Sequence, residues 1–342
     1  MRTLVRWSLV GLLVAGVGCG SDVSPPETFA DAGEADANAG PDAVVTDAQP
    51  PVDPAGANHL YVVNAIDVPT TVAEANALGL DIDGDASATV DNKLGDILAA
   101  LATSGGNDPQ DFINDRVADG TILQLINIKA TSLSDATRIG FSLYVGADAD
   151  VPENPSDNFS GFEDFNIAVN SPTDSLLAGT ITAGQLSAWD GSIPLLISIA
   201  DGVDPVRLDL VGARVEANPN GAGIAASKLG GGIREEQVTS DIYPTLEQTF
   251  DLTVAADCTG TVCAPGSNGQ TLLNLFDTDN DGDITLNELL NSAFLNNLFA
   301  SDLDLYDAEG FYNPNSDGVM DSLSFGIGFT AVGAQFIVPP LP

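Results

Sequence analysis

The sequence predicts a mainly β fold with some helices (the α+β class), built as an antiparallel sandwich or a barrel-like sheet. Two observations carry this prediction. Apolar residues make up 44% of the 342 residues, which is enough for a hydrophobic core. From residue 139 onwards, short runs of alternating apolar residues recur, and clusters of Gly, Pro, Asn and Asp separate them.

The first segment of the chain has the pattern of an export signal. An apolar run from Trp7 to Val17 follows two arginines and precedes Cys19. The run is about half as long as a membrane-spanning helix, which favours a signal peptide at residues 1–18. AGVGCGSD resembles the lipobox of bacterial lipoproteins, although Gly16 stands where that family usually has Leu. The resemblance implies lipidation of Cys19 and a lipid anchor in the membrane, and a soluble exported protein is the alternative.

The residues after the cysteine indicate a cellular location and a tether. Gly20 replaces the Asp that commonly retains lipoproteins in the inner membrane, so the resemblance implies an outer-membrane location in the cell envelope. Residues 19–57 are rich in Pro, Ala and Asp and poor in large apolar residues. Such a segment cannot bury enough surface to fold, and we expect an extended, disordered tether.

The chain is strongly acidic. It has 49 Asp and Glu against 10 Lys and Arg, a formal net charge of -39. This charge repels phosphates and excludes a nucleic-acid partner. It attracts divalent counter-ions, although a solubilising surface also explains many of the acids.

Residues 58–256 are predicted to form a β-rich domain that begins with helices. In NDPQDFINDRVADG, Asp108 is a candidate N-cap, Pro109 a first helical residue and Gly120 a helix stop. In DNKLGDILAALA, apolar residues recur at helical spacing on one face. These residues are Leu94, Ile97, Leu98 and Leu101.

Alternating apolar residues predict the strands that follow. The runs are Ile139, Phe141, Leu143 and Val145; Phe165, Ile167 and Val169; Ile193, Leu195 and Ile197; and Val206, Leu208 and Leu210, continued by Ala213 and Val215. A helix is predicted from about residue 235 to 256, with Pro244 near an interruption. The last run predicts a strand that returns to the sheet. Its residues are Leu323, Phe325, Ile327 and Phe329.

Cys258 and Cys263 open the C-terminal segment, residues 257–342. An exported chain meets an oxidising compartment, and the short spacing of the two thiols allows a small disulfide loop. A redox or metal pair is the weaker alternative, because no His or third Cys stands nearby in the sequence.

The stretch DTDNDGDITLNE, residues 277–288, crowds four carboxylates into seven residues. Its pattern D-x-D-x-D-G-x-I-x-x-x-E resembles the EF-hand calcium loop at every diagnostic position. The resemblance implies a bound Ca²⁺, a turn at Gly282 and a hydrophobic anchor at Ile284. The implied ligands are the side chains of Asp277, Asp279 and Asp281, the backbone carbonyl of Asp283, Thr285 through a water, and both carboxylate oxygens of Glu288.

The flanks of this loop predict an inserted helix-loop-helix. An apolar face formed by Leu272, Leu273 and Phe276 precedes the loop, and ITLNELLNSAFLNNLFA predicts one helix after it. The inward residues of that second helix are predicted to be Leu289, Leu290, Ala293 and Phe294. The cation would offset the mutual repulsion of the loop carboxylates, and a vestigial loop without an ion is the alternative.

A second stretch, NPNSDGVMDSLS, resembles the calcium loops of dockerins and thrombospondin-type repeats. The resemblance departs at Ser324, where a bidentate acid is expected, and an ordinary Asx turn around Gly318 is the alternative. The candidate ligands are Asn313, Asn315, Asp317 and Asp321. Four acids just upstream could complete the site: Asp302, Asp304, Asp307 and Glu309.

A third stretch, DIDGDASATVDN, resembles a D-x-D-G-D-x-x-x-D calcium loop. Gly84 falls at the fourth position rather than the sixth, so the EF-hand spacing does not apply. The alternatives to a calcium site are an ordinary turn and a helix N-cap at Asp91. The candidate ligands are Asp81, Asp83, Asp85 and Asp91.

The motifs of common enzyme classes do not occur. The chain has one histidine, His59, and no G-x-S-x-G, P-loop or H-E-x-x-H motif. Glycoside hydrolysis needs a pair of acids, and no pattern singles one out; a choice among residues such as Glu163, Asp164 and Glu216 would be arbitrary. We therefore predict a calcium-binding protein without enzymatic activity that has a structural or interaction role. The alternatives are a calcium-stabilised glycan-binding or adhesive β-sandwich and a hydrolase with dispersed acids.

Overall fold

The computed structural model describes residues 54–85, 90–103, 109–172, 175–198 and 202–337. The predicted signal peptide, Cys19, most of the tether and Asp108 lie outside the described residues, as does the side chain of Leu101. In the described part of the chain, no helix is long and apolar enough to span a membrane.

The β-strands are numbered in chain order. They are β1 (Ala57–Asp67), β2 (Gln124–Ala130), β3 (Ala136–Asp148), β4 (Asp164–Ile167), β5 (Leu177–Thr182), β6 (Gln185–Trp189), β7 (Ile193–Ile197), β8 (Val206–Pro219), β9 (Gly223–Arg234), β10 (Cys258–Thr259), β11 (Val262–Cys263), β12 (Ser322–Gly333) and β13 (Gln335–Phe336).

Eight of these strands form a closed antiparallel barrel, which confirms the predicted mainly β fold in its barrel-like form. The ring order is β1, β2, β3, β5, β6, β8, β9 and β12, and β12 pairs again with β1. The pairing of β3 with β5, from Ala136 to Phe141, closes the ring. Strand β7 extends from β8, β4 extends from β3, and β13 adds to β4 in parallel.

Of the helices in the described residues, three follow β1 in the chain and five lie between β9 and β12. They are α1 (Val72–Leu78), α2 (Lys93–Thr103), α3 (Pro109–Ala118), α4 (Glu235–Gln237), α5 (Tyr243–Asp257), α6 (Asn268–Phe276), α7 (Leu286–Leu290) and α8 (Ala293–Leu298). A π-helical turn, Val238–Ile242, joins α4 to α5. Pro244 is the second residue of α5, which follows directly on this π-helical turn.

Small residues on one face of strand β12 let helices approach the barrel wall closely. The predicted inward residues Leu323, Phe325 and Ile327 are fully buried. The residues between them are small, and a Cβ on Gly326 would lie 2.9 Å from the backbone oxygen of Leu78 at the end of α1. The alternation of large and small residues therefore fills the barrel on one face and admits helices on the other.

Strand β8 carries its apolar alternation through a register shift. Leu208 and Leu210 are buried at even positions, whereas Ala213 and Val215 are buried at odd positions. The register with β9 shifts between Val211 and Arg214. Because a bulge adds one residue, the side chains continue to face the core after the parity changes.

The prediction for the fourth strand is wrong at its end. Phe165 is buried in β4, but β4 ends at Ile167, and Val169 is fully exposed. The backbone N–H of Ser171 bonds to the carbonyl of Ala168, so the chain turns before Val169 can pair.

One hydrophobic cluster runs from the barrel interior into the surrounding helices. Phe141 and Leu229 lie in the barrel, and Phe250, Leu272 and Leu289 belong to α5, α6 and α7. The segment that contains the predicted calcium loop is therefore packed on the same core as the barrel.

Candidate functional site

The helix before the predicted calcium loop has the predicted apolar face. Leu272, Leu273 and Phe276 of α6 are buried. The Phe276 ring stacks on Phe250 of α5, with ring centroids 5.2 Å apart. Because Phe276 immediately precedes the loop, this contact fixes the point at which the loop begins.

Three predicted ligands converge in the loop. Carboxylate oxygens of Asp277, Asp279 and Asp281 all lie within 4.8 Å of one another. Desolvation and the charges of Asp281, Glu288 and Asp277 raise the pKa of Asp279, so the site holds concentrated negative charge. These are the first, third and fifth positions of the predicted loop.

The backbone of the loop is curled around the first of these carboxylates. The N–H groups of Asp281 and Gly282 donate to the two carboxylate oxygens of Asp277, at 3.2 Å and 3.0 Å. Asn280 and Gly282 have positive φ angles of 61° and 96°. The turn at Gly282 therefore needs the backbone conformation that glycine adopts most easily.

Glu288 is held by threonines on both sides of the loop. Its carboxylate accepts four hydrogen bonds, from the backbone and hydroxyl of Thr278 and of Thr285. Burial raises the pKa of Glu288, but these hydrogen bonds outweigh burial and bring the pKa to about 2. Glu288 is predicted to be a bidentate ligand, and its carboxylate is not part of the converging group of three. The role of Thr278 was missed, since the EF-hand pattern leaves that position open.

The helix after the loop differs from the prediction of one continuous helix. Leu289 is buried as expected, but Ala293 is exposed, as are Leu290 and Phe294. Ser292 accepts a hydrogen bond from the N–H of Leu295 and starts a new helix, α8. Because this cap breaks the helical periodicity, Leu295 takes the buried position.

A disulfide hairpin lies against the turn of the loop. Cys258 and Cys263 form the predicted disulfide between β10 and β11. A Cβ on Gly282 would lie 3.0 Å from Cγ2 of Thr261, at the tip of this hairpin. The sequence predicted the disulfide, but its contact with the loop emerges only from the fold.

The loop near Asp83 gathers a second group of acids. Carboxylate oxygens of Asp81, Asp83 and Asp91 lie within 4.8 Å of one another, while Asp85 donates its backbone N–H to Asp83. Burial, together with the charges of Asp83, Asp81 and Asp302, raises the pKa of Asp91 to about 6. The alternative role of Asp91 as an N-cap is wrong.

The N-cap of α2 is the next residue, Asn92. Its side-chain oxygen accepts a hydrogen bond from the N–H of Gly95 at 3.1 Å. The carboxylate of Asp91 instead accepts from the N–H of Ile82 at 2.7 Å, back across the loop.

The predicted ligands near residue 315 have separate roles. Asp321 accepts hydrogen bonds from the N–H groups of Leu305 and Tyr306. Asn315 donates its side-chain amide to the backbone oxygen of Asp83, which joins this loop to the previous one. Among the described residues, no group of three carboxylates converges here as it does in the other two loops.

The four upstream acids also differ in what they contact. Asp302 accepts from the N–H and hydroxyl of Ser324. Asp307 accepts from the N–H groups of Glu309 and Phe311 in its own turn. Only Asp304 reaches the 313–321 loop with its carboxylate, through the N–H groups of residues 317 and 318.

A separate open cleft of about 890 Å³ borders β8 and the end of β9. Its lining includes Asp190, Asp209, Arg234, Tyr306 and Tyr312. The Arg234 guanidinium lies 4.1 Å from the centroid of the Tyr306 ring, and the two tyrosine rings meet edge to face at 6.1 Å. Sequence reasoning missed this cleft because its residues come from four separate segments of the chain.

The acids that the sequence offered as arbitrary catalytic candidates do not contribute to the cleft. Glu163, Asp164 and Glu216 are absent from its lining. Comparisons of the chain with known family models, with curated proteins and with solved structures find no match.

Proposed function

We propose that this chain is an exported calcium-binding lipoprotein with a structural or interaction role at the cell envelope. The loop at residues 277–288 binds Ca²⁺. One observation carries the proposal: the carboxylates of Asp277, Asp279 and Asp281 converge within 4.8 Å around a turn at Gly282. Three anions at this distance repel one another, and a divalent cation turns that repulsion into attraction.

The donor set of the loop fits calcium. Calcium takes six to eight oxygen ligands and tolerates irregular geometry, whereas magnesium demands a near-ideal octahedron. The loop offers carboxylates, the backbone carbonyl of Asp283 and, through a water, Thr285, so every ligand atom is an oxygen. Glu288 adds a further carboxylate, whose negative charge raises the pKa of Asp279.

Calcium in this loop would act on the fold as a whole. The loop connects α6 to α7, and both helices contribute buried residues to the main core. The disulfide hairpin touches the loop at Gly282. Binding of the ion therefore stabilises the packing of the C-terminal helices on the barrel, which suits a structural role.

The envelope location rests on the N-terminal sequence and agrees with the disulfide. Disulfides persist in oxidising compartments outside the cytosol. Mass spectrometry of the protein purified from membranes tests the anchor. We expect an N-terminal lipidated Cys19, and we expect Cys19→Ser to release the protein from the membrane fraction.

Isothermal titration calorimetry with two matched variants tests the calcium site. Asp279→Asn removes a converging carboxylate, and Asp283→Asn removes the same charge at a position whose proposed ligand is the backbone carbonyl. We expect Asp279→Asn to weaken calcium binding by about tenfold or more, or about 1.4 kcal/mol. We expect Asp283→Asn to cost less than about 1 kcal/mol, as for a surface charge.

Equal effects of the two variants would mean that only the bulk charge of the loop matters. A wild-type chain that takes up no calcium, and melts at the same temperature with calcium and with chelator, would remove the proposal. Glu288→Gln is a less clean probe, because it also perturbs the hydrogen bonds of Glu288 to Thr278 and Thr285.

The cleft favours one second candidate, a carbohydrate-binding function. Tyr306 and Tyr312 present aromatic surface beside Asp190 and Arg234, and sugars combine apolar ring faces with hydroxyls that bond to such groups. The glycan-binding alternative therefore remains a candidate, with a β-barrel in place of the predicted sandwich. A glycan array gives the test, and we expect Tyr306→Ala to abolish any signal that the wild type gives.

A further inference from the structure

Asp304 is a buried carboxylate with an unsatisfied oxygen. The residue is 2% exposed and lies between the buried side chains of Leu303 and Leu305. One carboxylate oxygen, Oδ2, accepts from the N–H groups of Gly318 and Asp317 at 2.6 Å and 3.3 Å. The other, Oδ1, is buried and has no hydrogen-bond partner among the described residues. A buried carboxylate oxygen without a partner is costly, and a cation bound to it would remove that cost.

The carboxylate of Asp304 accepts N–H groups from the same two loop positions as Asp277, although both bond to the single oxygen Oδ2. Asp277 accepts the N–H groups of Asp281 and Gly282, the fifth and sixth residues of its loop. Asp304 accepts those of Asp317 and Gly318, the matching Asp-Gly pair. Both glycines have positive φ angles, 96° at Gly282 and 75° at Gly318.

An acid further along each loop repeats the correspondence. Glu288 accepts the N–H of Thr278, the residue directly after Asp277. Asp321 accepts the N–H of Leu305, the residue directly after Asp304. In both loops, an acid further along the chain therefore holds the start of the loop in place.

The fifth-position acids agree as well. Asp281 accepts the N–H of Asp283 at 3.0 Å, and Asp317 accepts the N–H of Val319 at 2.9 Å. The first position, however, is not Asn313, as the sequence pattern suggested. Residues 305–312 separate Asp304 from the rest of its loop, and this insertion hides the site from any pattern of contiguous spacing.

Backbone hydrogen bonds clamp the two ends of the insertion together. The N–H of Asn313 donates to the carbonyl of Leu305, and that of Asn315 donates to the carbonyl of Asp304, both at 2.9 Å. The buried carboxylate is thus brought to the loop by the fold rather than by the local sequence.

We propose that Asp304 anchors a second divalent-cation site, completed by oxygens of the 313–318 loop, and that its ion is Ca²⁺. The unpartnered Oδ1 of Asp304 is the primary ligand. Asp317 keeps a second carboxylate oxygen, and Asn315 keeps its amide oxygen, because its side-chain N–H₂ is the group that bonds to Asp83. A hard cation such as Ca²⁺ prefers oxygen ligands and would satisfy the buried carboxylate.

The site also connects to the cleft. The insertion at 305–312 carries Tyr306 and Tyr312, both of which line the cleft. An ion at Asp304 holds the base of this insertion closed, and it therefore fixes the two rings relative to Arg234 and Asp190. Calcium at this site would order one wall of the cleft.

Native mass spectrometry of the full mature chain at rising calcium concentration tests this inference by counting bound ions. We expect Asp304→Asn to bind one ion fewer than the wild type, while the amide still accepts from Gly318 and preserves the loop. Glu309→Gln is the matched control, since it removes an exposed acid from the same insertion. An unchanged ion count in Asp304→Asn, or an equal loss in the control, would overturn the inference.

The exposed Asp317 gives a second variant in case Asp304→Asn does not fold. We expect Asp317→Asn to weaken or remove the same ion, and unchanged binding in this variant also counts against the site. The two proposals fail separately. If the wild type binds one ion and Asp279→Asn removes it, the proposed calcium site at 277–288 stands and the Asp304 site fails. If Asp304→Asn removes that single ion instead, the Asp304 site stands and the proposed site at 277–288 fails.

Discussion

Glu247 on α5 accepts a 2.8 Å hydrogen bond from the backbone N–H of Leu286, the first residue of α7. A carboxylate at a helix N-terminus satisfies a free N–H and interacts favourably with the helix dipole. The contact spans 39 positions of the sequence. It ties the downstream end of the 277–288 loop to a helix whose Phe250 and Val254 belong to the main core.

We expect Glu247→Ala to lower the stability of the chain and its affinity for calcium together. Loss of a charge-assisted hydrogen bond to a partly buried N–H costs about 1–2 kcal/mol. Urea unfolding and calorimetry with calcium measure the two effects. Gln248→Ala is the control, because this neighbouring residue is exposed. Equal stabilities of the two variants would show that the Glu247 contact does not hold the loop.

The turn at Gly282 is expected to tolerate no side chain. Its φ of 96° strains any other residue, and a Cβ would lie 3.2 Å from the backbone nitrogen of Thr261. We expect Gly282→Ala to cost about 1–3 kcal/mol of stability in thermal melts.

Two other glycines separate the causes of that loss. Gly266 has a φ of 73°, but a Cβ there would meet nothing within 4 Å, so Gly266→Ala measures backbone strain alone. Gly221 has open space around it and no positive φ, so Gly221→Ala should change little. The expected order of destabilisation is Gly282, Gly266, Gly221. If Gly266→Ala loses as much stability as Gly282→Ala, the contact with Thr261 does not contribute to the loss at Gly282.

The disulfide is expected to support the loop through the same contact. Replacing Cys258 and Cys263 by Ser removes the cross-link of a short hairpin, worth about 2 kcal/mol in the chain-entropy view. Because the hairpin tip lies against Gly282, calcium affinity should fall with it. Calorimetry on the double variant measures this, and an unchanged affinity would show that the hairpin tip does not position the loop.

The sequence predicted those features that depend on neighbouring residues. The alternation of Leu323, Phe325 and Ile327 marked an inward strand face, because strand side chains alternate with a period of two. The 277–288 loop was visible because its acidic residues lie at fixed spacing within twelve residues. In both cases the information is local, so no knowledge of the fold was required.

The remaining features depend on what the fold brings together. The break between α7 and α8 follows from Ser292, whose preference for a cap outweighs the apolar spacing that predicted one helix. Asp304 reaches its loop across an insertion, and the Arg234–Tyr306 contact joins the end of β9 to that insertion. The spacing of residues in the chain does not encode such contacts.

In the absence of metal, the stability of the chain is expected to depend on pH through Asp91. Burial and the charges of Asp83, Asp81 and Asp302 raise its pKa from 3.8 to about 6 in the folded chain. Between these two values the folded chain binds more protons at this site than the unfolded chain. Stability from this group is therefore lost as pH rises through that window, and the loss is complete above about pH 6.

Asp91→Asn should remove this dependence, because the amide still accepts from Ile82 but carries no charge. In chelator at pH 7, we expect the variant to be more stable than the wild type by about 1–2 kcal/mol, a value reduced for partial exposure to solvent. The difference should shrink towards zero at about pH 4. Urea unfolding at a series of pH values measures it. Because the charge of Asp302 helps to raise the pKa of Asp91, Asp302→Asn should narrow the pH range over which stability changes. A stability difference between Asp91→Asn and the wild type that stays constant from about pH 4 to pH 7 would contradict the prediction.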